Sequence, residues 1–261
     1  MDLGLAGQVA IVTGASKGIG LAITQVLADE GVTVMAGARE TSAELEALTR
    51  TGTVTYVAAD LGQPDGVAHL VDAAAGRGRL DILVNNVGAV TPRLDGFVAV
   101  TDDQWASSYT LNLMAAVRTT RAALPMMLAR GRGAIVCTSS VNAVLADPGV
   151  IDYSAAKAAL RSFCKSLSKE LGPKGIRVNT VSPGPVSTDL WLGAGGVAAA
   201  VSARQGTAPA AVAAPAARES ATGRFTRPGE VANLVAFLAS DVAGNITGAD
   251  VAIDGGLITT T

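Results

Sequence analysis

Short apolar runs alternate along the chain with longer stretches of helical spacing. Val9–Thr13 is a β-branched run that ends in a glycine-rich turn, and Gly18–Glu30 then repeats its apolar positions helically until Gly31. Thr33–Ala36 reads as a strand, Thr41–Arg50 as a helix, Val54–Ala58 as a strand, Pro64–Gly76 as a helix and Ile82–Asn85 as a strand. Thr101 and Gln104 form a T-x-x-Q capping box that opens a helical region running to about Arg130. Ala134–Thr138 is a fifth strand, Tyr153–Leu171 a helix closed by Gly172-Pro173, and Ile176–Val181 a sixth strand. Pro228 and Glu230 open a helix reaching about Ala239, and Val251–Ile253 is a last short strand.

Strands and helices alternating at this spacing imply βαβ units and a parallel sheet. The strands are almost continuously apolar, as a sheet covered on both faces requires. The expectation is an α/β fold: one doubly wound domain over residues 1–261, with a parallel sheet of about seven strands and helices on both faces. Its ligand crevice belongs at the carboxyl ends of the strands. Residues 190–223 break the rhythm, being rich in Ala, Gly and Pro with weak periodicity. They read as a floppy insertion or as a lid-like insertion over a substrate. Their place directly after a strand-end loop favours the lid.

Composition narrows the function classes. Of 261 residues 49% are hydrophobic and 16% charged, and the net charge is −2. That supplies a large core and leaves no basic surface for nucleic acid or an anionic membrane. No apolar stretch approaches the ~20 residues that span a bilayer. Met1-Asp2-Leu3-Gly4 lacks the basic region and apolar run of a signal peptide. A cytoplasmic location is expected, with Cys137 and Cys164 as buried, reduced thiols. The sole histidine, His69, falls on a predicted surface helix. No metal site and no Ser-His-Asp triad are therefore expected.

Two patterns carry chemistry. Thr13-Gly14-Ala15-Ser16-Lys17-Gly18-Ile19-Gly20 joins the first strand to the first helix. Glycines there let the backbone approach a pyrophosphate, and the helix offers free N–H groups to it. Tyr153 and Lys157 stand i and i+4 on one helix and share a face. A nearby ammonium favours phenolate, so Lys157 is expected to lower the tyrosine's pKa toward the range useful for acid/base work. Either pattern alone is weak evidence.

The T-G-x-x-x-G-x-G spacing resembles the short-chain dehydrogenase/reductase family. Asn85-Asn86-Val87-Gly88, Asn112, Ser139-Ser140, Tyr153-Ser154-Ala155-Ala156-Lys157 and Pro183-Gly184 agree with it. The likeness runs from about Leu5 to Gly256 and is similar to the branch of 3-oxoacyl-carrier-protein reductases. Val87 stands where the family most often has Ala. The resemblance implies a Rossmann-type fold and a nicotinamide-dependent oxidoreductase. Tyr153 would give its proton to a carbonyl oxygen that Ser140 fixes, with Ser139 as the adjacent alternative. Lys157, also holding the cofactor's ribose, and Asn112, through a water, would resupply the proton.

The same resemblance implies the cofactor contacts. Gly14, Ser16, Lys17, Gly18, Ile19 and Gly20 would cradle the phosphates. Asp60 and Leu61 would flank the adenine, although Asp60 could equally cap a turn. Asn85, Asn86 and Gly88 would lie near the adenine ribose. Pro183, Gly184, Val186 and Thr188 would hold the carboxamide and phosphates. The second strand ends in Gly37-Ala38-Arg39 with no acid. A carboxylate there would read a free ribose, whereas Arg39, helped by Lys17, suits a 2′-phosphate. NADPH/NADP+ is thus the expected cofactor, unless both are merely solvated charges.

The substrate is less legible. Residues 142–152 and 190–223 offer Val144, Leu145, Val150, Ile151, Trp191 and Leu192, so a hydrophobic ketone or secondary alcohol is expected. The segment after Thr188 is longer than in the acyl-carrier reductases, which leaves room for a polyketide- or terpenoid-like ketone. Reduction is the favoured direction. Acyl-carrier reduction, alcohol oxidation and a catalytically silent cofactor-binding regulator are the alternatives. Relatives suggest a homotetramer or homodimer, and the apolar Val251–Ile258 ending is expected to be buried.

Overall fold

The computed structural model describes residues 2–259. Seven strands form one sheet: β1 Val9–Thr13, β2 Thr33–Ala38, β3 Val54–Ala58, β4 Ile82–Asn85, β5 Gly133–Thr138, β6 Ile176–Pro183 and β7 Asp250–Ile253. Their order is β3-β2-β1-β4-β5-β6-β7, and every pairing is parallel. Order reverses between β1 and β4, where a crevice must open at the carboxyl ends.

Among the described residues ten α-helices complete the fold: α1 Gly18–Asp29, α2 Ala43–Thr49, α3 Pro64–Ala75, α4 Asp102–Tyr109, α5 Ala115–Arg130, α6 Ile151–Leu171, α7 Asp189–Leu192, α8 Val197–Gln205, α9 Pro209–Arg218 and α10 Pro228–Ala239. Two apolar clusters, one on each face, explain why the strands are apolar throughout. Val12, Val34, Ile82 and Val84 pack with Ile23, Leu27 and Val235 on one side. Ile11, Met35, Leu83 and Ile135 pack with Leu70, Met127 and Leu160 on the other. Alternate strand residues point to opposite faces, so each helix layer has its own half of the core.

The helical region expected from Thr101 to about Arg130 forms as α4 and α5 joined by a π turn at Thr110–Met114. Two expectations need correction. Residues 190–223 are not irregular, because α7, α8 and α9 fall within them. Their alanine-rich sequence gives little apolar contrast between helix faces, which hid the period. Trp191 of α7 packs its ring 5.4 Å from that of Phe225. The ending Val251–Ile258 is half-buried to exposed in the single chain rather than buried, since β7 is a sheet edge.

Cys137 and Cys164 are buried, free thiols, and His69 is exposed on α3. Among the described residues no helix is long and apolar enough to cross a membrane. Among them, too, no cluster of three or more His, Cys, Asp or Glu could hold a metal.

Candidate active site

The glycine loop is shaped by backbone that only glycine adopts easily. Gly14 and Gly18 have φ of 67° and 56°. A side chain on Gly20 would place its Cβ 2.1 Å from the Gly14 carbonyl oxygen. Thr13 ties this loop to β4: its hydroxyl accepts from the N–H groups of Asn86 (2.8 Å) and Val87 (3.0 Å). Asn86 Nδ2 donates back to the Thr13 carbonyl at 3.0 Å, and Thr138 Oγ1 donates to Asn86 Oδ1 at 3.3 Å. Asn86 is therefore a clamp across three strand ends. Thr13 was visible in the motif, but nothing local marked its hydroxyl as the knot.

Helix α1 starts at Gly18 with no side chain capping its first turn. Its free N–H groups face the loop and fit an anionic group. Thr188 comes from the far side of the sheet, its Cγ2 3.2 Å from where a Gly18 Cβ would stand. The N–H of Ala15 donates to the Gly37 carbonyl at 3.1 Å, which sets the loop beside the end of β2. Lys17 and Arg39 are exposed there. Neither enters an ion pair among the described residues. Uncapped helix, glycine cradle and free cations together fit a phosphorylated dinucleotide.

Other expected contacts fall differently. Asp60 Oδ1 accepts from the Gly62 N–H at 3.0 Å, so it does cap a turn, while its carboxylate stays at the surface. Leu61 is 2% exposed and its side chain belongs to the core. Only its backbone remains for an adenine. Asn85 points away from the crevice, donating to Thr120 Oγ1 at 2.9 Å and Cys137 Sγ at 3.5 Å. Strand alternation sends Asn85 inward and Asn86 to the loop, so the expected Asn85 contact does not form. Val186 is buried, and so is Val150, which is therefore no pocket wall. Pro183 ends β6, and a Cβ on the following Gly184 would crowd Asp254 at 3.0 Å.

The reactive groups converge beside Gly88. Lys157 is buried, and its Nζ donates to the Thr138 carbonyl at 2.8 Å and lies 5.7 Å from the Tyr153 ring centre. A Cβ on Gly88 would meet Asn112 Oδ1 at 2.8 Å and Lys157 Nζ at 3.2 Å. Glycine there keeps open the space between them. Asn112 Nδ2 donates to the Ala89 carbonyl (2.9 Å) and the Ser108 carbonyl (3.0 Å), and Oδ1 accepts from the Ala89 N–H (3.1 Å). An amide bonding the carbonyl four residues back competes with the helix ladder, which accounts for the π turn around it. Ser140 Oγ faces Tyr153, donates to Asn142 Oδ1 (3.2 Å) and accepts from the Asn142 N–H (3.1 Å). Ser139 turns away and donates to the Lys157 carbonyl at 3.3 Å. Asn142 was missed in the sequence.

Burial decides the electrostatics. Tyr153 keeps some accessible surface at the crevice, but the dense protein around its phenol raises its pKa, with Ser140 pulling the other way. The expected lowering by Lys157 is thus not found. Lys157 is itself desolvated, which lowers its pKa from 10.5 to about 8. The phenol is therefore neutral at neutral pH. A cavity of about 430 Å³ lies between residues 142–148 and the Ser154–Ala158 side of α6, but Tyr153 and Lys157 do not line it. The reactive groups, not that hollow, mark the site.

Residues 14–258 match the family model described as Enoyl-(Acyl carrier protein) reductase. The chain belongs to the short-chain dehydrogenase/reductase family. That is a family of NAD(P)H-using oxidoreductases, and the seven-stranded parallel sheet is its Rossmann-like fold. Among short-chain relatives, the 3-oxoacyl-[acyl-carrier-protein] reductase of Thermotoga maritima is 34% identical over 97% of this chain and 99% of its own. Cis-4-hydroxycyclohexanecarboxylate dehydrogenase of Sinomonas cyclohexanicum is 36% identical over 98% of each. The structure of L-sorbose reductase from Gluconobacter frateurii, complexed with NADPH and L-sorbose, superposes with a TM-score of 0.91 at 35% identity, covering both chains fully.

Proposed function

We propose that this protein is an NADPH-dependent ketoreductase that reduces a hydrophobic ketone to a secondary alcohol. The observation that carries it is the convergence of Tyr153, Ser140, Lys157 and Asn112 around the open space at Gly88. The cofactor, when bound, supplies the hydride. Gly14, Ser16, Lys17, Gly18, Ile19 and Gly20 would hold its phosphates, with Thr188 across from them. Arg39 would take a 2′-phosphate, and Asp60 with the Leu61 backbone would border the adenine. Asn86 holds the loop, Gly88 leaves room, and Pro183, Gly184 and Val186 offer backbone along the remaining edge.

Tyr153 donates its phenolic proton to the substrate oxygen, and Ser140 orients that oxygen. Lys157 replaces the proton on the phenol side, and Asn112, held to Ala89 and Ser108, backs the path to solvent. Helices α7–α9 act as a lid over the substrate. Exposed Val144, Leu145, Leu190 and Leu192 furnish apolar walls beside it. The half-exposed apolar ending points to a homotetramer or homodimer, checked by light scattering, and the two free buried thiols suit the cytoplasm.

The activity is tested with L-sorbose, a 3-oxoacyl thioester and 4-oxocyclohexanecarboxylate, each with NADPH and NADH. Turnover of a carbonyl with NADPH well above NADH is expected. Cofactor binding without turnover on any of them favours the regulator instead. Replacing Arg39 by Asp is expected to raise KM for NADPH ~10–100-fold, the worth of a charged hydrogen bond. An unchanged NADPH KM, with NADH still poor, would show that Arg39 does not read the phosphate.

The pH dependence follows from Lys157. It is charged below about 8 and loses its proton above that. Reduction is expected to hold its kcat/KM below pH about 8 and to fall above it, while alcohol oxidation gains. A reduction rate that climbs from pH 7 to 9 contradicts this proton path.

A further inference from the structure

Two buried charges meet next to the reactive tyrosine and have no part in the proton path. Arg93, on the loop after β4, directs Nε (3.1 Å) and Nη2 (2.5 Å) at Asp152 Oδ2. Their side chains are 11% and 2% exposed. Desolvation offsets the attraction of such a pair, so it is a weak source of stability. Its geometric effect is definite. Asp152 immediately precedes Tyr153 in the first turn of α6, and no side chain caps that turn. The Arg93 N–H also donates to the Gly149 carbonyl at 2.7 Å, just ahead of the helix. The other end of the same loop is Ala89, gripped on both its N–H and its carbonyl by Asn112. One short stretch of chain, residues 89–93, thus runs from the π turn to the tyrosine's helix and is fastened at both ends.

We propose that Arg93 and Asp152 are positioning residues for Tyr153, holding the first turn of α6 at a set distance from Asn112 and the Gly88 wall of the crevice. This rests on Tyr153 as the proton donor.

Removing one partner leaves the other buried and unpaired, so single variants can lose the fold. The double variant Arg93→Met with Asp152→Leu removes both charges and keeps apolar volume, a replacement that cores commonly accept. It is expected to keep the circular dichroism and the NADPH KM of the parent. Its kcat on the ketone turned over best among the three carbonyl compounds above should fall ~10–100-fold, because a misplacement of ~1 Å suffices. Arg93→Lys keeps the charge without the two-pronged fork and should fall between.

A second readout needs no substrate: the ultraviolet phenolate absorbance of Tyr153 in the cofactor-free protein, isolated by subtracting the Tyr153→Phe signal. The charged groups by the start of α6 include Arg93, Asp147, Asp152 and Lys157, and the packed helix α4 carries Asp102 and Asp103 in its own first turn. Arg93→Met strands the carboxylate and should move the phenol's titration up, while Asp152→Asn strands the guanidinium and should move it down. A folded double variant with parental kcat, or single variants that shift the phenol in the same direction, overturns the proposal. If the parent turns over no carbonyl, the ketoreductase reading fails, and the direction of the two phenol shifts alone then decides the pair.

Discussion

Tyr153→Phe should bind NADPH as the parent does and lose turnover by at least ~10³-fold, the upper part of what a positioned general acid contributes. The substitution removes one oxygen from a side chain that burial already keeps neutral. It leaves no charge behind and no cavity beyond a hydroxyl, so the fold should stand. Among the described residues no other acid lies ready to replace it: Ser140 gives its proton to Asn142, and Lys157 is turned to the Thr138 carbonyl. Fluorescence titration with NADPH and turnover on the carbonyl set check the two halves separately. Substantial residual turnover would sink the assignment of Tyr153. Weakened cofactor binding would show instead that the hydroxyl belongs to the cofactor site.

Lys157→Met should separate stability from activity in opposite directions. The fall of the ammonium's pKa from 10.5 to about 8 corresponds to roughly 3 kcal/mol of unfavourable burial at neutral pH. Met fills similar space without the charge. The Thr138 carbonyl loses its donor, an offset of ~1–3 kcal/mol. The variant should be at least as stable as the parent at pH 7, by up to ~2 kcal/mol, and should lose ~10²-fold or more in kcat. The sign with pH is definite. Between pH about 8 and 10.5 the unfolded parent still holds the Lys157 proton that the folded parent has released. Parental stability therefore gains from this group as pH rises through that window, and the variant should lack the gain. Denaturant melts at pH 7 and pH 9 measure it. A variant much less stable at pH 7 would mean that the ammonium is better solvated than its burial implies.

Much of the fold was legible because its cause is local. Apolar runs of strand length, broken by Gly and capped helices, recur at βα spacing, and β3 and β4 have the ends their sequence indicates. The glycine loop was legible because positive φ at Gly14 and Gly18 is a property of glycine. Tyr153 and Lys157 were legible because four residues along a helix put two side chains on one face. The π turn at Thr110–Met114 was not, since one extra residue in a turn scarcely alters an apolar period. Its cause is the Asn112 amide bonding the Ser108 carbonyl within the helix, from a side chain that also reaches Ala89, 23 residues away. Asn85 and Asn86 look equivalent on paper, and only the strand's alternation sends one to the core and the other to the glycine loop.

By itself the sequence determined the order of strands and helices, the backbone freedom at the loop, and which side chains share the catalytic helix. The tertiary structure alone decided what those side chains are. It buried Lys157 and packed dense protein around the Tyr153 phenol, so desolvation rather than their mutual charge sets the tyrosine's proton. It brought Thr188 over Gly18 and Arg93 onto Asp152, 59 residues apart. Periodicity and spacing act through neighbouring bonds along the chain. The local dielectric and the partner of a buried charge depend on segments that meet only when the sheet is assembled.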